Sequence, residues 1–132
     1  MIKRLDEIPR VRDVGPDEPD WHAIAHHFGL TAFGLNAFVA READQELVGE
    51  HDETGSGQEE VYVVTAGRAL VTLDGAVSEV SAGTVIALPD PATKRLVVAL
   101  EPGTTLFAIG APARERFEST WNPSHFEDVP QA

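Results

Sequence analysis

The stretch His51–Gly67, HDETGSGQEEVYVVTAG, sets one histidine and four carboxylates ahead of an apolar run that ends in glycine. The run Val61, Tyr62, Val63, Val64 is β-branched and aromatic, the composition of a strand core. Side chains on a strand alternate between faces, so a chain extended from Gln58 puts Gln58, Glu60, Tyr62 and Val64 on one face. That face carries an amide, a carboxylate and a phenol. His51 and Glu53 share a parity just before Thr54-Gly55-Ser56-Gly57, a loop by composition.

The same strand-and-turn rhythm continues downstream. Arg68–Leu73 and Ala76–Val80 flank Asp74-Gly75, the dipeptide that suits a two-residue type I′ hairpin because both of its positions need positive φ. Ser81-Ala82-Gly83 makes the next turn, Thr84–Leu88 the next strand, and Pro89-Asp90-Pro91 ends it. Arg95–Leu100 and Thr104–Ile109 are two further strands joined by Glu101-Pro102-Gly103, with proline and glycine placed as a type II turn prefers. Upstream, Leu30–Ala40 is apolar on both parities, which predicts a strand covered on both faces, although periodicity alone also admits a helix. Asn36 is the one polar side chain in its middle, and burial there requires a hydrogen-bond partner. Short strands punctuated by glycine and proline, with no long amphipathic helix, describe a β-sandwich or jelly roll.

Two segments also resemble the signatures of the cupin superfamily. In the first, His51 fits the leading histidine, Glu60 the glutamate and Gly67 the closing glycine, whereas Gln45 replaces the opening glycine and Glu53 the second histidine, with a longer gap before Glu60. In the second, Gly83 and Pro89 fit, Pro91 replaces a glycine, Lys94 stands at the position of the histidine ligand and Val98 at that of an asparagine. The resemblance implies an all-β, cupin-type jelly-roll barrel over residues 30–112, preceded by an arm with a short helix or strand (1–29) and followed by a tail packed on the barrel (113–132).

Composition bounds the alternatives. At 132 residues the chain has the size of one domain, and 42% hydrophobic content places it among globular proteins. No apolar run approaches a bilayer span, and the N-terminal MIKRLDEIPR lacks the apolar segment of a signal peptide, so a cytoplasmic location without a membrane partner is the expectation. A net charge of −12 argues against nucleic acid. The absence of cysteine removes disulfides, thiolate metal sites and cysteine nucleophiles.

Residues 1–20 read as an arm and a turn, GPDEPD being incompatible with regular structure, and such an arm can cover a sheet edge of its own chain or of a second copy, which makes a homodimer the expected assembly. Asp20 is positioned to cap a brief helix through Trp21–His27 ended by Gly29, with an extended chain as the alternative. On that helix His22 and His26 lie one turn apart. The simpler reading of His22, His26 and His27 is a set of surface or interface residues. The tail's Phe117, Trp121 and Phe126 predict a short helix and coil lying over the body.

Two functional classes follow. In the first, the barrel binds a small molecule through Gln58, Tyr62, Asn36 and a cation supplied by Lys94 or Arg95, which would favour an anion. In the second, His51, Glu53 and Glu60 hold Mn, Fe, Ni or Zn, and the cupin resemblance implies a metal-dependent dioxygenase, isomerase or lyase, with Tyr62 as acid or base. The inward cation opposes the metal by Coulomb repulsion and can pair with Glu60 instead. The binding class is preferred because two of the three histidines of the cupin signatures are absent. The rival reading of the acidic cluster is that Glu50, Asp52, Glu53 and Glu59 form a solvated loop while only Glu60 turns inward.

Overall fold

The computed structural model describes residues 1–113 and 117–132; positions 114–116 of the expected tail lie outside the described residues. Nine strands form two antiparallel sheets. They are β1 (Asp20–His22), β2 (Gly34–Val39), β3 (Glu46–His51), β4 (Gln58–Ala66), β5 (Arg68–Leu73), β6 (Ala76–Ser81), β7 (Val85–Leu88), β8 (Arg95–Ala99) and β9 (Thr105–Pro112). One sheet runs β1-β2-β9-β4-β7 and the other β3-β8-β5-β6. Chain neighbours β2 and β3, β3 and β4, β7 and β8, and β8 and β9 lie in opposite sheets, the crossing pattern of a jelly roll.

The turns are those the residues require. Asp74 and Gly75 both have positive φ, 48° and 85°, and join β5 to β6 in register from Arg68↔Ser81 to Leu73↔Ala76. Gly67 between β4 and β5 has φ of 72°, and a Cβ there would lie 2.7 Å from Thr104 Cα. The glycine that closes the first signature is therefore demanded by backbone conformation and by close packing together.

The core lies between the sheets. Tyr62, Val64, Ile86, Leu88, Leu106 and Ala108 from one sheet face Leu47, Val48, Ala69, Val71, Val97 and Ala99 from the other. On β4 the inward row is Gln58, Glu60, Tyr62 and Val64, the face read from the sequence. A second, smaller cluster covers the outer side of the larger sheet: Ile8 and Ile24 pack on Ala37, with Leu5, Phe28, Leu35 and Phe107 around them. This double coverage is why β2 is apolar on both parities.

The N-terminal region departs from the expected helix. Asp20–His22 is a strand that pairs with β2, Trp21 opposite Phe38, and only Ile24–Phe28 is helical (α1), ended by Gly29 in the left-handed conformation. Asp20 is thus not a helix cap: its carboxylate takes Arg10 at 2.7 Å. His22 is buried, its Nδ1 donating to the carbonyl of Ile8 at 2.8 Å, while His26 and His27 are exposed on α1. His22 and His26 share no helical face, and that pair is not a metal site. The arm extends its own chain's sheet edge, with β1 as the added strand.

At the other terminus Pro123–Phe126 forms the expected short helix, of the 3-10 type. Its surroundings differ from the expected packing on the barrel. Phe117, Trp121 and Phe126 are exposed, and Trp121 stacks on Phe126 with ring centres 6.5 Å apart. Trp121 and Phe126 pack on each other locally, while Phe117 stands exposed.

Candidate functional site

The polar residues of the first signature converge at one end of the space between the sheets. β3 carries His51 there by way of two irregularities in its pairing with β8, between Glu46 and Val48 and between Val48 and His51. Such bulges re-aim side chains, and here Leu47, Val48, Gly49 and His51 all reach one cavity. The cavity is about 250 Å³ and is also lined by Asn36, Phe38, Glu60, Tyr62 and Ala108. Small residues on β9 make the room. Ala108 stands between Asn36 of β2 and Tyr62 of β4 in the ladder. At Gly110, the partner of Glu60, a Cβ would lie 3.1 Å from Glu60 Cγ and 2.9 Å from Gln58 Oε1.

Each polar group is held in a defined way. The Nδ1 of His51 lies 2.8 Å from the carbonyl oxygen of Gly49, which can only accept, so Nδ1 donates there and Nε2 is left for a second partner. That Nε2 is 3.1 Å from Glu53 Oε1. Glu53 is steadied by the loop it opens: its N–H donates to the Pro91 carbonyl at 2.8 Å, and its Oε2 accepts from the Ser56 hydroxyl. Asp52 accepts from the Thr54 hydroxyl and N–H, bonds that hold its carboxyl below the usual aspartate range. Asn36 accepts from the Trp21 indole N–H at 2.9 Å, which leaves its amide N–H groups for the cavity.

Glu60 is the hinge of the cluster. Its Oε2 accepts from the Tyr62 hydroxyl at 2.7 Å and lies 3.6 Å from Arg95 Nη2. Tyr62 is 2% exposed, and burial, followed by the hydrogen bond to Glu60 and the charge of Glu60, pushes its phenol well above the usual tyrosine range. It therefore remains protonated at neutral pH. Tyr62 orients Glu60 as a donor, and the role of base expected in the metal-dependent class does not fit this setting.

The two candidate cations separate cleanly. Arg95 is fully buried and stands opposite His51 in the β3–β8 ladder. Lys94 is exposed, and its backbone N–H donates to Asp74 in the β5–β6 turn. Arg95, not Lys94, is the inward cation. Yet Arg95 lies behind Glu60 and does not line the cavity, and neither does Gln58, so the cationic wall expected from the sequence is not formed. Phe38, Leu47, Val48, Gly49 and Ala108 were not singled out by sequence reasoning. The signal available for one of them was the decline in size along the inward row of β9, Leu106, Ala108, Gly110.

One nitrogen or oxygen from each of His51, Glu53 and Glu60 falls within 4.8 Å of the others, the only such group of three among the described residues. An imidazole nitrogen with carboxylate oxygens is a donor set that Mn, Fe, Ni or Zn accepts. A larger hollow, about 830 Å³, lies outside the barrel between the arm and the larger sheet. Its ionic groups already pair with each other, Arg4 with Asp6 and Arg10 with Asp20, so it offers less free chemistry than the barrel.

An antiparallel double-sheet barrel with a polar cavity at one end defines the architectural class, and comparison with solved structures gives its name: this is the cupin fold. A cupin protein from Bacteroides fragilis superposes with a TM-score of 0.65 over 93% of this chain and 97% of that chain, at 19% identity. A cupin-superfamily sugar phosphate isomerase from Silicibacter pomeroyi DSS-3 gives 0.66 over 83% and 74%, at 21% identity. KdgF from Halomonas sp. gives 0.61 over 83% and 92%, at 24% identity. No family model and no curated protein matches the sequence. No helix among the described residues is long and apolar enough to cross a membrane.

Proposed function

We propose that the barrel binds a small, neutral molecule bearing hydroxyl groups, in the cavity between Asn36, His51, Glu60 and Tyr62. The observation that carries this reading is the convergence of an amide, an imidazole and a carboxylate on one cavity lined otherwise mainly by Phe38, Leu47, Val48 and Ala108. A few fixed polar groups in an apolar pocket are the usual composition of a small-molecule site. A volume of about 250 Å³ restricts the occupant to a compact molecule. The anion favoured by the sequence depended on Lys94 or Arg95 facing the ligand, and with Lys94 exposed and Arg95 engaged behind Glu60 the groups on offer suit hydroxyls better. One structure of like fold is described as a sugar phosphate isomerase, which agrees with the hydroxyl groups of the proposed ligand and not with its neutrality.

The test is a thermal-shift screen of small polyols and sugars against the wild type and Ala108→Leu, whose larger side chain fills the cavity. A compound that binds only the folded state raises the melting temperature. Stabilisation lost in Ala108→Leu is the expected result. A compound that stabilises both proteins equally binds elsewhere and overturns the assignment of the cavity.

The compactness of the His51, Glu53 and Glu60 group favours a second reading, a divalent cation at the polar end. His51 Nε2 with oxygens of Glu53 and Glu60 would hold it, and it would supply a Lewis acid toward an oxygen of the cavity's occupant. Tyr62 keeps Glu60 turned by its hydrogen bond, and the Gly49 carbonyl fixes the tautomer of His51. Elemental analysis of protein prepared without chelator or nickel resin tests this reading. Stoichiometric metal that is lost in His51→Ala supports it, and metal-free protein that takes up no added Mn(II) refutes it. The cytoplasmic location and the homodimer belong to the same proposal: fractionation of the producing cells tests the first, and sedimentation at micromolar concentration the second.

A further inference from the structure

We infer that Arg95 is a specificity-determining residue for cations: a built-in positive charge that weakens divalent-ion binding at the polar end and leaves the cavity to a neutral occupant. The inference rests on the divalent-cation reading above and deepens it. The starting point is an anomaly. Arg95 is fully buried, yet its Nε and Nη2 have no hydrogen-bond partner among the described residues, and its Nη1 reaches only the Pro91 carbonyl at 3.5 Å. A guanidinium keeps its charge under all ordinary conditions and brings five donors, so leaving N–H groups unpartnered in the interior is unfavourable.

What compensates is charge. Arg95 Nη2 lies 3.6 Å from Glu60 Oε2, beyond good hydrogen-bond length but well inside the range of strong Coulomb attraction at low dielectric. Glu60 is therefore shared. Tyr62 and Arg95 both act on its Oε2, whereas its Oε1 has no hydrogen-bond partner among the described residues. Its carboxylate also belongs to the group of three with His51 and Glu53. Two ionised carboxylates by themselves would present a doubly negative pocket to a cation. With the guanidinium adjacent, half of that charge is offset. Any divalent ion held by Glu60 would also sit within a few ångström of a fixed positive charge.

Arg95 further lies opposite His51 across the β3–β8 ladder with its side chain fully buried, so the guanidinium stays beside the cluster instead of reaching water. The neighbouring Lys94, being exposed, cannot play this part.

The experiment measures Mn(II) binding by calorimetry, with melting temperature as a second readout, for wild type, Arg95→Met, Arg95→Lys and the double variant His51→Ala/Arg95→Met. Arg95→Met should bind Mn(II) tighter than wild type by on the order of tenfold or more, because one unit charge is removed close to a divalent ion. Its melting temperature should rise more steeply with added Mn(II). The gain should vanish in the double variant and be much smaller in Arg95→Lys, which keeps the charge. If Arg95→Met does not fold alone, folding on addition of Mn(II) is the supporting result, and failure to fold at millimolar Mn(II) overturns the inference. Equal, measurable affinity in wild type and Arg95→Met overturns the role of Arg95 while leaving the cation reading intact. Absence of binding in every variant, Arg95→Met included, removes both.

Discussion

The two ends of the barrel interior are walled by the same sheets and differ in what those sheets bury. At the end near the Gly67 turn, Val64 and Leu106 are fully buried opposite Val71 and Ala69. At the other end, two or four residues further along β4, the inward positions become Tyr62 and Glu60, with Arg95 and His51 facing them. Apolar contact holds the sheets together at the first end. At the second the sheets are joined by an ion pair under-supplied with hydrogen bonds, so this end carries the chemistry at some expense of stability.

The contrast is broken most directly by removing a charge. Glu60→Gln leaves the Arg95 guanidinium buried without its counter-charge and should lower unfolding free energy by about 3–5 kcal/mol, whereas Glu60→Gln/Arg95→Met should recover much of that loss. Urea denaturation measures both, and a loss below about 1 kcal/mol for Glu60→Gln would show that the pair contributes little. At the apolar end Leu106→Ala, a truncation at a fully buried residue paired with Val64, should cost about 3 kcal/mol by lost burial and a new cavity, with no change in the protein's response to cations.

A smaller effect sharpens the comparison by pH. Folding holds the Tyr62 phenol above its ordinary value of 10.0, so the folded state favours the protonated form. Its contribution is intact below pH 10 and is lost as pH rises beyond, by up to about 1.4 kcal/mol for each pH unit. Tyr62→Phe should flatten this alkaline limb in denaturation curves taken across pH. Tyr62 is the chain's one tyrosine, so the appearance of phenolate absorbance should coincide with unfolding. Ionisation of the folded protein near pH 10 would contradict the geometry. The smallest effect is expected at Lys94: Lys94→Ala should leave stability within about 0.5 kcal/mol of wild type, against the large change at its neighbour Arg95.

That contrast also marks how far the sequence could be read. The strands were legible because alternation and turn chemistry agree: the inward row of β4, the Asp74-Gly75 hairpin and the Glu101-Pro102-Gly103 turn all follow from local residues. The choice between Lys94 and Arg95 was not legible. On β8 both parities are apolar, Arg95 sharing one with Val97 and Ala99 and Lys94 the other with Leu96 and Val98, and only burial in the folded chain shows the first to be the inward one. Asp20 before Trp21–His27 satisfied the rules of a helix start, and pairing of Trp21 with Phe38 on β2 overrode them. The pocket's apolar lining was obscure because those residues come from β2, β3 and β9 and meet only through tertiary structure.

The Trp21 indole has a consequence of its own. It bonds Asn36 and stacks with Phe38 at 6.3 Å between ring centres, and both of those side chains wall the cavity. The fluorophore thus sits one residue behind the cavity wall, while the chain's other tryptophan, Trp121, is 70% exposed in the tail. With Trp121 replaced by phenylalanine, the emission of the remaining indole becomes an intrinsic optical gauge of whatever enters the barrel, and no label need be attached.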